Sequence, residues 1–190
     1  MKNLIISLLV GMFFPCMLHS QYNRIKTDPI DFALSTATVQ YERFLPNQWS
    51  LQLGMSLTQF HTVVWDEVSV SVTGVGVTPE VRYYFRPYAS SDVPKGFFGG
   101  GWARYNTGKG TFDLESEGIH TDMMDVTAYS GGVLVGYQHI IWNRLCLEAL
   151  AGGGYRSSKI EGRMAEAGEK IFFTRSGFIP KAGINVGIAF

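Results

Sequence analysis

The chain has 190 residues, enough for one domain, and balances 16 basic against 16 acidic residues. That balance excludes the basic excess a nucleic-acid partner requires, and with charged residues at 17% a helix-rich, highly charged surface is excluded too. The 22 glycines and 14% aromatic residues are a composition that recurs in barrels and propellers.

The first segment is a targeting signal. Lys2 gives a positive start, and Leu4 to Phe14 form an apolar run interrupted by Ser7 and Gly11. Pro15 breaks the run, and Leu18-His19-Ser20 places a small residue before Gln21. This pattern predicts a signal peptide over 1–20, leaving 21–190 as the mature domain. Cys16 raises the lipoprotein alternative, but Phe14-Pro15 lacks the small residues of a lipidation box. Cleavage removes Lys2 and Cys16, leaving fifteen basic and sixteen acidic residues and Cys146 as the remaining thiol, so no internal disulfide forms. No later stretch is apolar over the ~20 residues of a membrane helix. A closed barrel can still cross a membrane, because closure pairs every backbone polar group.

Strands follow from period-two alternation. Asn23 to Phe32 alternates poorly and contains Pro29, tolerable near an edge or bulge. Thr36 to Phe44 is a clearer strand. From Trp49, Leu51, Leu53, Met55 and Leu57 oppose Ser50, Gln52, Gly54, Ser56 and Thr58. From Val75, Val77, Pro79, Val81, Tyr83 and Phe85 oppose Thr78, Glu80, Arg82, Tyr84 and Arg86. Phe97 to Thr107 and Thr127 to His139 are weaker. Leu145, Leu147, Ala149 and Ala151 oppose Cys146, Glu148, Leu150 and Gly152. Last, Phe178, Pro180, Ala182, Ile184, Val186, Ile188 and Phe190 oppose Lys181, Gly183, Asn185, Gly187 and Ala189. The segments from Thr36 onward give an odd count, whereas single-chain bacterial barrels have even strand numbers. Asn23 to Phe32 is therefore the expected eighth strand.

The apolar rows carry no charge, while the opposite rows mix small polar residues with Glu42, Glu80, Arg82, Arg104, Glu148 and Lys181. A basic residue on a lipid face at mid-bilayer costs ~2–4 kcal/mol, so Arg82 and Lys181 belong in the lumen and the apolar face points out. Alternation alone leaves a soluble, lipocalin-like barrel with reversed faces open. Phe44, Trp49, Phe85, Phe97, Trp142 and Phe190 are expected at one interface, and Phe60, Tyr105, Tyr129, Tyr155 and Phe178 at the other. Tight turns are expected at 45–48 and 141–144 and a longer one at 87–95. Long polar connections at Thr62–Val72, Gly108–Asp125 and Ser157–Gly177 would lie opposite. A change of apolar phase between Val72 and Val75 predicts a bulge or break. The expected fold is all-β: a transmembrane antiparallel up-and-down β-barrel of about eight strands.

Three blocks carry a family resemblance: Tyr41-Glu42-Arg43 with Trp49-Ser50-Leu51, Pro79 to Tyr84, and Gly132 to Gln138 with Leu147 to Tyr155. Together they resemble a family of small Gram-negative outer-membrane barrels, akin to the membrane domain of OmpA and largely described as a domain of unknown function. The resemblance implies fold and outer-membrane location, and no catalytic residue. The chain ends at its last strand, which speaks against peptidoglycan anchoring. Ile184, Val186, Ile188 and Phe190 resemble the C-terminal signal read by the barrel-assembly machinery, an edge strand suited to strand addition.

Glu42, Glu80, Arg82, Arg104, Glu148 and Lys181 are the candidate lumenal polar network, expected to be mutually paired because eight strands leave room only for side chains. A proton or ion path is the alternative. His61 and His120 near the outer rim invite a lipid-modifying enzyme, but no nucleophile motif accompanies them. Gly99-Gly100-Gly101 and Gly152-Gly153-Gly154 lack the lysine and following helix of a phosphate loop. Trp65, beside Asp66-Glu67 at the turn of a protruding hairpin, is the candidate surface contact. No catalytic, metal or cofactor site is expected. Expected partners are outer-membrane lipid, the assembly machinery during biogenesis and an extracellular or envelope protein, not nucleic acid. The favoured role is structural or surface-interacting, with a narrow channel and a lipid enzyme as alternatives.

Overall fold

The computed structural model describes residues 23–65, 68–86, 94–114, 119–161 and 176–190. The expected signal peptide lies outside them. The strands are β1 (Asn23–Thr27), β2 (Thr36–Phe44), β3 (Trp49–Trp65), β4 (Val68–Tyr84), β5 (Gly96–Leu114), β6 (Ile119–Ile141), β7 (Leu145–Glu161) and β8 (Gly177–Ala189), with helix α1 (Pro29–Ala33) between β1 and β2. Each strand pairs antiparallel with its sequence neighbours, and β1 pairs with β8 to close an eight-stranded up-and-down barrel.

Register gives the barrel its shape. A row of direct partners runs Arg24, Glu42, Gln52, Glu80, Trp102, Gly132, Gly154, Ile179 around the wall. Arg24 itself pairs with Ala189, so one circuit advances ten residues along β8, from Ile179 to Ala189. Such a stagger is what tilted strands require, typically about 35–45° in small barrels. The same row is inward-facing throughout, so the pairing fixes which side chains fill the lumen. Outward lie Val39, Leu51, Met55, Val81, Val133, Val135, Ile184 and Ile188, all exposed. Inside lie Phe44, Tyr84, Phe98, Trp102, Leu134 and Leu150, with Ile179 against them. Curvature is tight where β6 meets β7: a Cβ at Gly132 would lie 2.1 Å from the Gly153 carbonyl oxygen. Glycine is what lets the backbones approach there.

The weakest strand departs from expectation. It ends at Thr27 instead of reaching Phe32. Asp28 caps a helix, its carboxylate accepting from the backbone N–H of Ile30 (2.8 Å) and Asp31 (3.4 Å), and Pro29 occupies the first turn, where its missing N–H costs nothing. The Asp-Pro pair is a helix start, a signal that outweighs the poor alternation. The helix ends at Ala33 with Leu34 as its cap, and Ser35 follows with φ 60°, its carbonyl accepting from Gln59 N–H of β3 (3.0 Å).

One sector of the wall is thereby helical. The β1–β8 pairing runs from Arg24↔Ala189 to Thr27↔Val186, and farther along β8 packs against α1 instead. Phe190 donates to Asn23, so alternate residues back along β8 direct their N–H groups to this edge. Ile184 N–H is taken by the Asp28 carboxylate, and Pro180, two pairs farther on, has no N–H to leave unpaired. Ile30, Phe32 and Leu34 are exposed and continue the apolar outer surface across the helix.

Other expectations also change. Phe44, expected at an outer interface, is buried in the lumen, because its register partner Ser50 faces inward. No bulge separates Val72 from Val75; the register runs unbroken from Leu57↔Val75 to Phe60↔Val72, and the irregularity falls between Val63 and Trp65. The connections at 62–72 and 108–125 are largely strand, β5 reaching Leu114 and β6 beginning at Ile119, and β7 carries the start of the third as far as Glu161. At the rim neither sheet face is sheltered, so alternation fades while backbone pairing continues.

Asp28 joins α1 to the edge of β8, so Asp28→Ala is expected to lower stability by about 1–2 kcal/mol. Chemical unfolding of the refolded protein, read by loss of its β-sheet circular dichroism, checks this; an unchanged midpoint would show that the cap contributes nothing.

Candidate functional site

The lumen is held by a carboxylate–cation network built from six strands. Glu148 on β7 is its centre: Oε2 accepts from Lys26 Nζ (2.7 Å) and Arg82 Nη1 (2.9 Å), and Oε1 from Asn185 Nδ2 (2.7 Å). Glu42 Oε2 accepts from Lys26 Nζ (2.9 Å) and Oε1 from Ser50 Oγ (2.7 Å). Arg24 and Arg82 each approach Glu42 at 3.8 Å. Glu80 Oε2 takes two bonds from Arg82, Nε at 3.0 Å and Nη2 at 2.6 Å, while Oε1 accepts from Lys181 Nζ (2.5 Å). Inward-facing Gln52, Gln40 and Asn185 extend the chain, Gln52 donating to Gln40 (2.9 Å) and Gln40 to Asn185 (3.0 Å).

Aromatic rings close the network below and beside. The Tyr84 hydroxyl reaches Glu42 Oε1 (3.0 Å) and also Gln138 Oε1. Gln138 Nε2 in turn donates to Cys146 Sγ (2.9 Å). Phe44 and Phe98 flank Tyr84 with ring centroids 5.2 and 5.3 Å away. The Arg24 guanidinium lies 4.1 Å from the Phe44 ring centre and that of Arg82 4.7 Å from Phe98. Arg24 also donates to the Pro94 carbonyl, tying the segment before β5 across the mouth of the barrel.

Five of the six residues expected in the network meet there: Glu42, Glu80, Arg82, Glu148 and Lys181. Arg104 faces the same lumen but donates to Thr78 Oγ1 (2.9 Å). Sequence reasoning missed Arg24 and Lys26, both fully buried. Their spacing of two on either side of Ile25 was the available signal, within a strand too short to show a pattern. It placed Tyr84 on the inner face but missed the inward-facing Phe44, Phe98 and Trp102. Ile184, Ile188 and Phe190 are exposed on the outer face of β8, with Val186 between them partly covered. Trp65 ends β3, paired with Val68. Cys146 is buried, and the two glycine triplets sit within β5 and β7. His139 stacks beside Tyr137 on the outer face, ring centroids 6.5 Å apart. The side chains of His61 and His120 lie outside the described residues.

Chemically the network is a set of mutually compensating charges. Each carboxylate oxygen is already engaged by a cation or a neutral donor, so none is left as a base beside a nucleophile. Among the described residues no cluster of His, Cys, Asp and Glu has the arrangement of a metal site, and no helix is long and apolar enough to cross a membrane.

The fold is of the outer-membrane barrel type. It is similar to Ail, the attachment invasion locus protein of Yersinia pestis, with a TM-score of 0.50 and 12% identity over 90% of this chain and 97% of that one. CarO of Acinetobacter baumannii aligns with a TM-score of 0.47 and 10% identity over 92% of this chain and all of that one (100%). The N-terminal β-barrel domain of Pseudomonas aeruginosa OprF aligns with a TM-score of 0.43 and 15% identity over 90% of this chain and 100% of that one. At these identities the likeness is one of fold. No curated protein matches the chain in sequence. The model of one family, described as a protein of unknown function (DUF3575), matches residues 4–185, and the chain belongs to that family.

Proposed function

We propose that this chain is an integral barrel of the Gram-negative outer membrane, with a closed, side-chain-filled lumen, serving as a structural anchor for surface hairpins. The observation that carries this reading is the inversion of the two faces. Val133, Val135, Leu57, Met55 and Phe97 are more than half exposed, at 70, 61, 59, 62 and 65%, whereas Arg24, Arg82 and Glu42 are at 0%. In water that arrangement would expose the apolar area and bury the charges; in a bilayer each group meets the medium it prefers. Two belts of exposed aromatics support it: Trp49, Phe85, Phe97, Trp142 and Phe190 toward the short turns, and Phe60, Tyr105, Tyr129, Tyr155 and Phe178 toward the long hairpins. Such rings favour the two membrane interfaces.

The anchoring role follows from the filled interior. In support, Lys26, Arg82 and Glu148 meet across the lumen, an aromatic cluster is buried beside them, and Arg24 donates to the Pro94 carbonyl. At the far end β3–β4 and β5–β6 continue as hairpins. Trp65 at the β3 tip is our first candidate for contact with an extracellular or envelope protein, and Ile184, Val186, Ile188 and Phe190 for recognition by the assembly machinery.

Membrane fractionation is expected to place the protein in the outer membrane, with faster gel migration unboiled than boiled. A soluble protein without that shift would reverse the assignment of faces. Glu148→Ala leaves Lys26 and Arg82 without their shared partner and is expected to cost about 3–5 kcal/mol, the range for breaking a buried pair, measured by unfolding in detergent or lipid. The native protein is expected to give no steady conductance in a planar bilayer; ohmic current abolished by Arg82→Gln would establish a channel instead.

A further inference from the structure

At the short-turn end the outer wall carries a cleft of about 610 Å³, where β4, β5 and β6 reach the rim. Its membrane side is a row of rings on neighbouring strands. Phe85, one residue beyond β4, donates its backbone N–H to the Phe97 carbonyl (3.0 Å). Phe97 is the register partner of Tyr137, and their ring centroids are 4.8 Å apart. All three rings lie on the exposed outer face. The Phe85 ring leans away from the rim. A Cβ at Gly99, one outward-facing position deeper than Phe97, would lie 3.2 Å from Phe85 Cζ.

The rim side of the same cleft is basic. Arg86, Lys95 and His139 line it, and all three are exposed. Gly96 brings the first two together: its own Cβ, were there one, would lie 3.8 Å from Arg86 Cβ, and Lys95 precedes it in the chain. Its φ of 117° is one that glycine adopts without strain. Pro94, just before Lys95, is buried, and its carbonyl accepts from Arg24, so the lysine stands at the end of a segment tied into the lumen. His139 lies two residues beyond Tyr137 toward the turn, the rings 16° from parallel. Among the described residues, every Asp and Glu lies in the lumenal network, at α1, or at the long-hairpin ends of β5, β6 and β7. The segment from Arg86 to Lys95 holds one acid, Asp92, against two cations, and is net basic. Interfacial cations ordinarily extend from apolar stems into water. These instead share one cleft with an aromatic wall.

Resting on the bilayer-spanning reading above, we propose that this cleft is the headgroup site of one anionic phospholipid in the leaflet at the short-turn side. Arg86 grips the phosphodiester with its planar fork of donors, and Lys95 adds a point charge. His139 and Tyr137 offer a ring N–H and a hydroxyl from β6. The Phe85 and Phe97 rings lie against the glycerol and the first methylenes of the acyl chains. The aromatic belt puts the cleft at the level where headgroups begin. Two cations against one phosphate favour a net-negative headgroup over a zwitterionic one, whose own ammonium they repel. Free phosphate presents the same oxyanion but leaves the rings without a partner, so the lipid is the occupant.

The full chain, refolded in neutral detergent, is mixed with phosphatidylglycerol or with phosphatidylcholine of the same acyl chains, and bound lipids are counted by native mass spectrometry. One phosphatidylglycerol is expected to bind saturably and at least tenfold more tightly than phosphatidylcholine. Arg86→Gln combined with Lys95→Gln is expected to weaken it at least tenfold, about 1.4 kcal/mol. Arg43→Gln, which removes a cation from the same end but on β2, is expected to leave it unchanged. Inorganic phosphate at constant ionic strength is expected not to displace the lipid; displacement would make the free ion the ligand and overturn the assignment. Equal affinity for the two lipids, or full affinity in the double variant, would overturn it as well. Faster migration of the unboiled chain and of each variant reports the barrel independently of the cleft. A folded chain without the selective adduct sinks the cleft alone, whereas a chain without the shift sinks the barrel reading with it.

Discussion

A buried charge has to meet its counter-charge, and in this barrel that requirement ties together segments far apart in the chain. Lys26 and Glu148 are 122 positions apart, Arg82 and Glu148 66, and Lys181 and Glu80 101. Each bond holds only if every intervening strand keeps its register, since a one-residue slip would turn the inner face outward. The network therefore selects one register among many that the apolar exterior would accept. Apolar side chains facing lipid are interchangeable; a carboxylate with three fixed donors is not. Uniqueness of fold comes here from the polar interior, the reverse of the usual division of labour in a water-soluble protein.

The interior is graded along its length. Near the short turns, Arg24, Phe44, Tyr84 and Phe98 form alternating charged and aromatic layers, in which ring faces and guanidinium groups complement one another. In the middle the carboxylates bind two or more cations each. Farther out, Arg104 and Arg156 stand on the inner face and the wall is partly glycine. Filling a narrow cylinder with long side chains from some strands demands near-absence of side chains on others, and Gly132, Gly152 and Gly154 supply it opposite Trp102, Leu134 and Lys181.

Where alternation is long and one face is wholly apolar, as in β4, β7 and β8, a linear reading finds both strand and facing, because pleat and medium impose the same period. β2 is found with the same bounds. The reading fails where that period is short or unopposed. Arg24 and Lys26 sit on a strand of five residues, and the even-number rule draws Asp28-Pro29, a helix start, into a strand. Phe44 shows a different limit: an aromatic residue is at home at an interface and in a lumen alike, and only pairing with Ser50 decides. Arg104 shows another, since inward facing does not reveal which acid lies within reach.

The short β1 has a mechanical consequence. Between β6 and β7 the ladder runs from Asp125↔Glu161 to Ile141↔Leu145, whereas between β1 and β8 it runs only from Arg24↔Ala189 to Thr27↔Val186. Beyond that point a single turn of helix, one carboxylate and a proline substitute for a continuous ladder. The cylinder is thus unequally stiff around its circumference, rigid across β3 to β7 and compliant in one narrow sector. Lateral compression or thermal breathing will concentrate there, and the earliest exchange of backbone amides with solvent deuterium within the wall belongs to the outer half of β8.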